Sequence, residues 1–425
     1  MEQILALLCA GLLGLSVFLL PGREPVGMLA RVALLLFPLA GGLAWLICAS
    51  ARRTPLERRI APDTALVFWM GWPMLGFFAV SALLMAVHAD PLHELDKPVR
   101  FLLVALGLAV WSRLRMDAAV FRRTVLVLAL GAAPLLLGVA LYERVALGVG
   151  RVGQEVYPIQ FADMAMGVAL IALVLAVGMR PRLVRWLAAL SATAAFVGVW
   201  MTASRGAFLA LPVLPWLVAY ARGRRVTGRL LLQVLGAAVL AVALALASSA
   251  GLRSRLAEAG TDLQSFRQGD AATSIGMRLQ MWQNATQLFL SSPVWGVGEQ
   301  GYLQSQRDGV AQHRLDPMIL EFNAAHNQYL DALAKGGLLQ GLATLLVFFM
   351  PLVWFWRRCR QPGAGANDGQ VFAAAGLAVT AAYPLFAMTQ HVFVHGTGVM
   401  FFAGATVLFG LASSLSPPQA AGRGI

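Results

Sequence analysis

The sequence predicts an all-α protein that crosses a membrane about 12 times. Three observations carry that expectation. The 425 residues are 59% hydrophobic and 12% charged, about half the charged fraction of an ordinary soluble chain. Apolar runs of roughly 17–25 residues, each able to span a bilayer as a helix, recur along almost the whole length. Lys and Arg gather in every second connection between those runs.

The expected spans lie near 3–20, 26–49, 64–86, 98–112, 124–142, 157–178, 186–203, 206–221, 230–249, 327–356, 371–391 and 395–414. The fourth and eighth are short. An even number places both termini on one side, and the excess of Lys and Arg in cytoplasmic connections fixes which side. With cytoplasmic termini, the inner segments hold 19 of the 33 basic residues and only 5 of the 20 acidic ones. Arg52, Arg53, Arg113, Arg115, Arg122, Arg123, Arg357 and Arg358 are among the inner arginines. The net charge of +13 is therefore mostly a topology signal. No exposed basic domain exists to carry it onto a nucleic acid. Cys9, Cys48 and Cys359 fall in spans or on the inner side and imply no disulfide framework.

Residues 250–325 break the rhythm of short connections and divide the chain. Helices 1–9 occupy 1–249, a large outer loop follows to 325, helices 10–12 take 326–415, and 416–425 form a cytoplasmic tail. Within the loop, IGMRLQMWQNATQLFLSS repeats Ile275, Leu279, Trp282, Ala285 and Phe289 at helical spacing. Its Arg, Gln and Asn content predicts an amphipathic helix lying at the interface, where a span would be wholly apolar. Pro293 stops that helix, and Gly296, Gly298 and Gly301 predict a turn-rich segment after it.

The chemistry is expected on the outer face. All six histidines (His88, His93, His313, His326, His391 and His395) map there. His326 opens AHNQYLDALAKGGLLQG at the head of the tenth span, with Asn327 beside it. Gly337 and Gly341 lie further along, where a glycine stripe lets a neighbouring helix approach. Asp331 and Lys335, four residues apart, read as a helix-face ion pair. Arg205 lies in SRGA between two spans, and Arg278 lies one turn before Trp282. Either arginine can snorkel to headgroups, and a guanidinium also grips phosphate oxygens with two hydrogen bonds. Arg151 belongs to an outer connection and Asp163 lies just inside the sixth span, where an acid is a functional candidate. HADPLHELDK (88–97) gathers two His and three acids, but its spacing is too loose for a metal site and a solvated loop is expected. No nucleotide-binding motif is present.

Three motifs in order, SRGA (204–207), MRLQMWQNA with PVWGVGEQGY (277–302), and HNQYLDALAKGG (326–337), resemble those of the O-antigen ligase/polymerase superfamily. The last motif matches that family's His-Asn, nine residues, Gly pattern at His326, Asn327 and Gly337. The glycine expected at 340 is here Gln340, with Gly341 following. The resemblance implies a GT-C-like glycosyltransferase of a bacterial inner membrane with its active site facing the periplasm. An O-antigen ligase is the nearest plan. It would move a glycan from an undecaprenyl-pyrophosphate-linked donor to lipid A–core within the membrane lipids, without cofactor or metal and with inversion. His326 would then act as general base, with Arg205 and Arg278 on the pyrophosphate and Asn327, Trp282, Arg151, Asp163 and His391 in secondary roles. An O-antigen polymerase and a protein O-oligosaccharyltransferase share the plan. A lipid-linked glycan flippase is the reading from another class.

Overall fold

A computed structural model describes residues 1–20, 26–50, 64–223, 273–361 and 368–415, together with 227–229, 232, 233, 236 and 239. Most of the expected span at 230–249, the opening of the outer loop and the tail after 415 lie outside these residues. Among the described residues every regular element is helical. They are α1 (Glu2–Phe18), α2 (Val26–Ser50), α3 (Thr64–His88), α4 (Pro98–Trp111), α5 (Ala118–Leu141), α6 (Pro158–Gly178), α7 (Arg182–Met201), α8 (Gly206–Ala221), α9 (Ser274–Ser291), α10 (Gly298–Ala311), α11 (Gln328–Cys359), α12 (Asp368–Phe386) and α13 (Gly396–Ser414).

Eight of them, α2, α3, α5, α6, α7, α11, α12 and α13, are long and apolar enough to cross a membrane. α1 and α8 are shorter apolar helices, and α4 has 14 residues. The protein is thus an all-helical, polytopic membrane protein. α8 begins as a 3₁₀ turn over Gly206–Val213 before Pro215 starts its α-helical part, so its 16 residues rise further than an α-helix of equal length.

Burial sorts the bundle into a centre and a rim. The spans of α6, α12 and α13 are 78–89% buried, whereas those of α2, α3 and α7 are 28–33% buried. Small residues explain the centre, because they let backbones approach where no hydrophobic driving force separates protein from lipid. Gly376 faces the Phe355 ring, Gly167 takes the edge of Phe401, and Gly404 and Gly410 take side chains from α1 and α3. Above them Phe393 stacks on Phe348, with ring centroids 4.9 Å apart, and meets Phe101 and Phe402 edge-on or tilted. This aromatic floor carries the segment between α12 and α13.

The bundle has two chemically different ends. At one end, Arg122 donates from Nε to the Ala412 carbonyl (2.8 Å) and from Nη2 to that of Leu415 (2.6 Å). Arg358 Nη2 donates to the Ser413 carbonyl (3.0 Å). These bonds satisfy the last carbonyls of α13 and place cations at its negative dipole end. At the other end lie His326, the α12–α13 connection and the described part of the outer loop.

The helix carrying the His-Asn motif is longer than a membrane needs. α11 has 32 residues, roughly 48 Å at 1.5 Å per residue, against a hydrocarbon core of about 30 Å. It is broken at Gly337, whose φ of 60° and ψ of −156° suit only glycine. The part after the break is by itself long enough for the hydrocarbon; the part before it carries Asp331 and Lys335. The glycine therefore does something other than admit a neighbouring helix. The backbone of Val294 and Trp295 fills the place where a Gly337 side chain would be. Leu338 N–H donates to the Pro293 carbonyl (2.8 Å), and Val297 N–H donates to that of Ala334 (3.0 Å). The PVWGVG segment thus replaces hydrogen bonds lost at the break.

The turn-rich reading of PVWGVGEQGY holds only as far as Val297. From Gly298 the chain is α10, and the Asp90 carboxylate accepts from the backbone N–H groups of Glu299 (3.0 Å) and Gln300 (3.2 Å) at its start. His88 meets the Trp295 carbonyl at 3.0 Å. HADPLHELDK is accordingly a docking point for the cap, residues 273–325, more than a solvated loop. α9 forms as expected, with Thr273 as its N-cap, but its buried stripe is Met277, Met281 and Ala285, offset from the expected one. The cap packs on these residues through Ile319 and Tyr302.

Candidate active site

His326 does not lie on α11. Asn327 is the N-cap, its Oδ1 accepting from Tyr329 N–H (3.0 Å) and Leu330 N–H (3.2 Å), so the helix starts at Gln328. His326 precedes it with a φ of 48°, a left-handed conformation uncommon for residues other than glycine. Three contacts hold it there. Asp331 Oδ1 accepts from the N–H of Ala325 (3.1 Å). The ring stands edge-on to Phe322, centroids 5.4 Å apart. Its Nδ1 meets Gln390 Oε1 at 3.2 Å.

The last contact sets the tautomer. The amide oxygen is an acceptor, so Nδ1 carries the proton and Nε2 keeps its lone pair. Burial lowers the pKa of His326 from its ordinary value, and the Arg278 cation lowers it further; the Gln390 hydrogen bond and the Asp331 carboxylate oppose both. The imidazole is neutral at pH 7, the form a base requires.

Gln390 is itself fixed. Gln328 N–H donates to the carbonyls of Ala387 (2.9 Å) and Gln390 (3.2 Å), and Gln328 Oε1 accepts from Phe393 N–H (2.9 Å). Gln160 of α6 donates to the His391 carbonyl (3.3 Å). The connection from α12 to α13 is thereby tied to the head of α11 and the head of α6.

Arginines gather near His326. Arg278, from α9, has its pKa lowered by burial and then by the like charges of Arg205 and Arg151, so those two guanidiniums stand within electrostatic reach of Arg278, and Arg278 within reach of His326. Arg205 sits at the start of α8 in a built turn: Thr202 Oγ1 accepts from Ser204 N–H (3.1 Å), and Ala203 has a φ of 52°. Arg151 Nε donates to the Thr202 carbonyl (2.9 Å), tying the outer RVGQ connection to the same turn. Trp282 joins both small cores of the cap and so supports the helix that aims Arg278. Gathering like charges costs free energy, offset when an anion binds among them.

The other side of His326 is built oppositely. Asp331 and Lys335 do pair on their helix (3.3 Å), but both are enclosed, and the pair extends well beyond one helix face. Lys335 Nζ also reaches Glu299 (2.7 Å) and the Asn323 carbonyl (2.8 Å), and lies 4.9 Å from the Tyr302 ring centre. Asp331 Oδ2 meets His391 Nε2 at 3.2 Å. Burial holds the His391 pKa down to about 3. This imidazole is therefore neutral, and it donates from Nε2 to the carboxylate. Glu299 and Gln390 are the members that sequence reasoning missed, since nothing local marks either one. Asp331 and Lys335 did carry a signal, being charged residues entering an apolar helix.

Of the residues expected in secondary roles, Asn327 adjoins His326, Trp282 packs on the small core that holds Ala325, His391 lies in electrostatic reach of His326, and Arg151 lies in reach of Arg278. Asp163 does not join them. It is buried within α6 with neither carboxylate oxygen hydrogen-bonded, in electrostatic reach of Tyr383, whose hydroxyl is also unpartnered. His395 stacks on Tyr157, centroids 4.2 Å apart, and closes the head of α6. His93 pairs with Glu94 at an exposed position (3.2 Å).

A helical membrane bundle with a neutral histidine, a cluster of arginines and a buried charge network at one end is the class that fold and site define. Comparison with known proteins makes it specific. Residues 190–346, which include Arg205, Arg278, His326 and Gly337, match the family model described as O-Antigen ligase. An uncharacterized protein of Haemophilus influenzae is 24% identical over 365 residues, 84% of this chain and 88% of that protein. A protein of Escherichia coli K12 named O-antigen ligase is 25% identical over 213 residues, about half of each chain (49% and 48%). These findings bear out the resemblance to the O-antigen ligase superfamily that the motifs carried.

Proposed function

We propose that this protein is a glycosyltransferase that moves O-antigen polysaccharide from undecaprenyl pyrophosphate to lipid A–core. The reaction takes place at the periplasmic face of a bacterial inner membrane. The observation that carries the reading is the juxtaposition of a neutral His326, its Nε2 lone pair open, with the guanidinium of Arg278, itself within reach of those of Arg205 and Arg151. A base and an anion site side by side suit attack by a hydroxyl on a carbon whose leaving group is an anion.

In this reading the donor arrives in the bilayer with its pyrophosphate at headgroup height, among the arginines. His326 Nε2 takes the proton from an acceptor sugar hydroxyl as that oxygen bonds to the anomeric carbon of the donor. The bond from that carbon to the pyrophosphate oxygen breaks, and Arg205 and Arg278 stabilise the charge that develops there. One displacement inverts the anomeric carbon. Guanidinium charge supplies what a metal ion supplies elsewhere, so the reaction needs neither metal nor nucleotide. Among the described residues the charged groups gather at the two ends of the bundle, with Asp163 standing apart within it, which favours an enzyme over a flippase, since a flippase needs a polar path from face to face.

The test is transfer by purified protein given undecaprenyl-pyrophosphate glycan and lipid A–core, with EDTA and without nucleotide. Wild type is expected to shift the mobility of lipid A–core and His326→Ala to leave it unshifted. Lengthening of the donor glycan alone makes the protein a polymerase. No change in either lipid sinks the glycosyltransferase reading with these substrates.

A further inference from the structure

The buried charge network of the candidate active site has a second face. A cavity lined by Asp331 and His391, and by none of the three arginines, opens between α3 and the head of α11. Its space of about 160 Å³ is far more than the roughly 10–15 Å³ that one water needs on the same measure. Ser81 and Gln340 line its deeper part, bonded to each other at 3.3 Å. Glu299, Asp331, Lys335 and His391 line the side nearest the candidate active site.

Chemistry narrows the occupant. Asp90, Glu94, Glu299 and Asp331 face Lys97 and Lys335 around this cavity, an acidic excess that repels an anion. The pyrophosphate therefore belongs with the arginines and not here. An apolar group is disfavoured as well, because it would strip water from Ser81, Gln340 and the charged side chains without replacing its hydrogen bonds. What fits is a neutral group rich in hydroxyls, able to donate and accept at several points.

One atom is already placed for it. His391 is 8% exposed and lines the cavity; its Nε2 is taken by Asp331. Its Nδ1 is buried without a hydrogen-bond partner. With Nε2 as the donor, Nδ1 is an acceptor, and a buried unsatisfied acceptor is costly until a donor reaches it. The atom is closed to the cavity as the side chains stand, so a ligand hydroxyl supplies that donor with a small shift of the groups around the imidazole. Gln340 stands where the family pattern puts glycine, so this chain brings a side-chain amide to a position where the motif has none.

We propose that this cavity is a sugar subsite, binding hydroxyls of a glycan through His391 Nδ1, Gln340 and Ser81. The proposal rests on the glycosyltransferase reading for which glycan is bound: none of the arginines assigned to the pyrophosphate lines this cavity, so the acceptor is the expected source. The donor glycan is the other source, and the experiment separates them.

Wild-type protein and the double variant Ser81→Ala/Gln340→Leu, both full-length in nanodiscs, are titrated with lipid A–core and, separately, with undecaprenyl-pyrophosphate glycan, and dissociation constants are measured. Removing two hydrogen-bonding groups is expected to weaken lipid A–core binding about tenfold or more and to leave donor binding within about twofold. Weakened donor binding with unchanged lipid A–core binding keeps the sugar subsite and assigns it to the donor. Unchanged binding of both, or failure of wild type to bind either, overturns the proposal. Thermal midpoints of the two proteins are compared first. If the double variant has lost its fold, Gln340→Glu, which adds a negative charge at the same place, is titrated instead, with the same expectation. A parallel transfer assay separates the two ideas, since wild type that binds lipid A–core but transfers nothing counts against the glycosyltransferase reading alone.

Discussion

The two flanks of His326 solve opposite problems with the same kinds of residue. On one flank Arg151, Arg205 and Arg278 bring like charges together at a cost. On the other, Asp331, Lys335, Glu299 and His391 bring unlike groups together so that each charge has a partner. The arginine flank concentrates positive charge at the site, and the network flank, whose members satisfy one another, holds the chain in place. The comparison gives each flank a different signature on substitution. The arginine flank should lose activity with little loss of stability, and the network flank should lose stability first.

The largest effects belong to His326 and to the arginine flank. His326→Ala should lower kcat by about 10²–10⁴-fold, the range for a general base. Arg278→Ala should cost about 10²–10³-fold, as removal of one group stabilising developing charge does. Neither variant should move the thermal midpoint far, and Arg278→Ala should if anything raise it by relieving repulsion. A large fall in the midpoint for Arg278→Ala would show that the arginines are structural.

Next come two substitutions on the network flank. Asp331→Asn takes one of the two charge partners from Lys335, leaving Glu299, and weakens the acceptor of His391 and Ala325 N–H, so it should cost about 1–3 kcal/mol, less than breaking a buried pair outright. Gly337→Ala forces a side chain into the Val294 carbonyl at a φ and ψ that alanine does not adopt. It should cost about 3 kcal/mol or more and loosen the cap, seen as faster proteolysis near Pro293. Equal stability of either variant and wild type would mean that this flank is dispensable for folding.

Gln390→Leu sharpens the comparison, because Gln390 belongs to neither flank but touches His326 itself. Without the acceptor at Nδ1 the proton is free to move to Nε2, the atom that must stay open. A drop of about tenfold in kcat with donor KM unchanged is expected, in line with a buried donor left unsatisfied. A change confined to KM would place Gln390 in binding instead.

How much of this was legible in the sequence follows from how local each feature is. The helical membrane bundle, the helix α9 and the motif residues Arg205, Arg278 and His326 were readable, because apolar run length, helical spacing and short motifs are local. The break at Gly337 was not. Glycine at that position looks the same whether it admits a helix or a strap, and the strap comes from Val294 and Trp295, some 40 residues earlier. Glu299 was hidden for the same reason, its partner Lys335 lying on another helix. α10 was misread because Gly296, Gly298 and Gly301 signal turns, and only Asp90, far back in the chain, caps that helix. Even His326 was placed one element too far, on α11, because the N-cap role of Asn327 depends on geometry at a single residue.

The smallest effect is one of pH, and it tests whether both flanks act on the same imidazole. As a base, His326 must be unprotonated, so kcat/KM falls as pH drops through its pKa in the free enzyme. Burial and Arg278 put that pKa below the ordinary histidine value, so the acid limb should lie below about 6.5. The two flanks then pull in opposite senses. Removing the cation in Arg278→Gln should move the limb of the residual activity to higher pH, since one source of repulsion for the imidazolium is gone. Removing the carboxylate in Asp331→Asn should move it to lower pH, since the imidazolium loses its nearest stabilising charge. Shifts of the same sign in both variants would mean that the limb reports another group, and His326 would lose its place as the base.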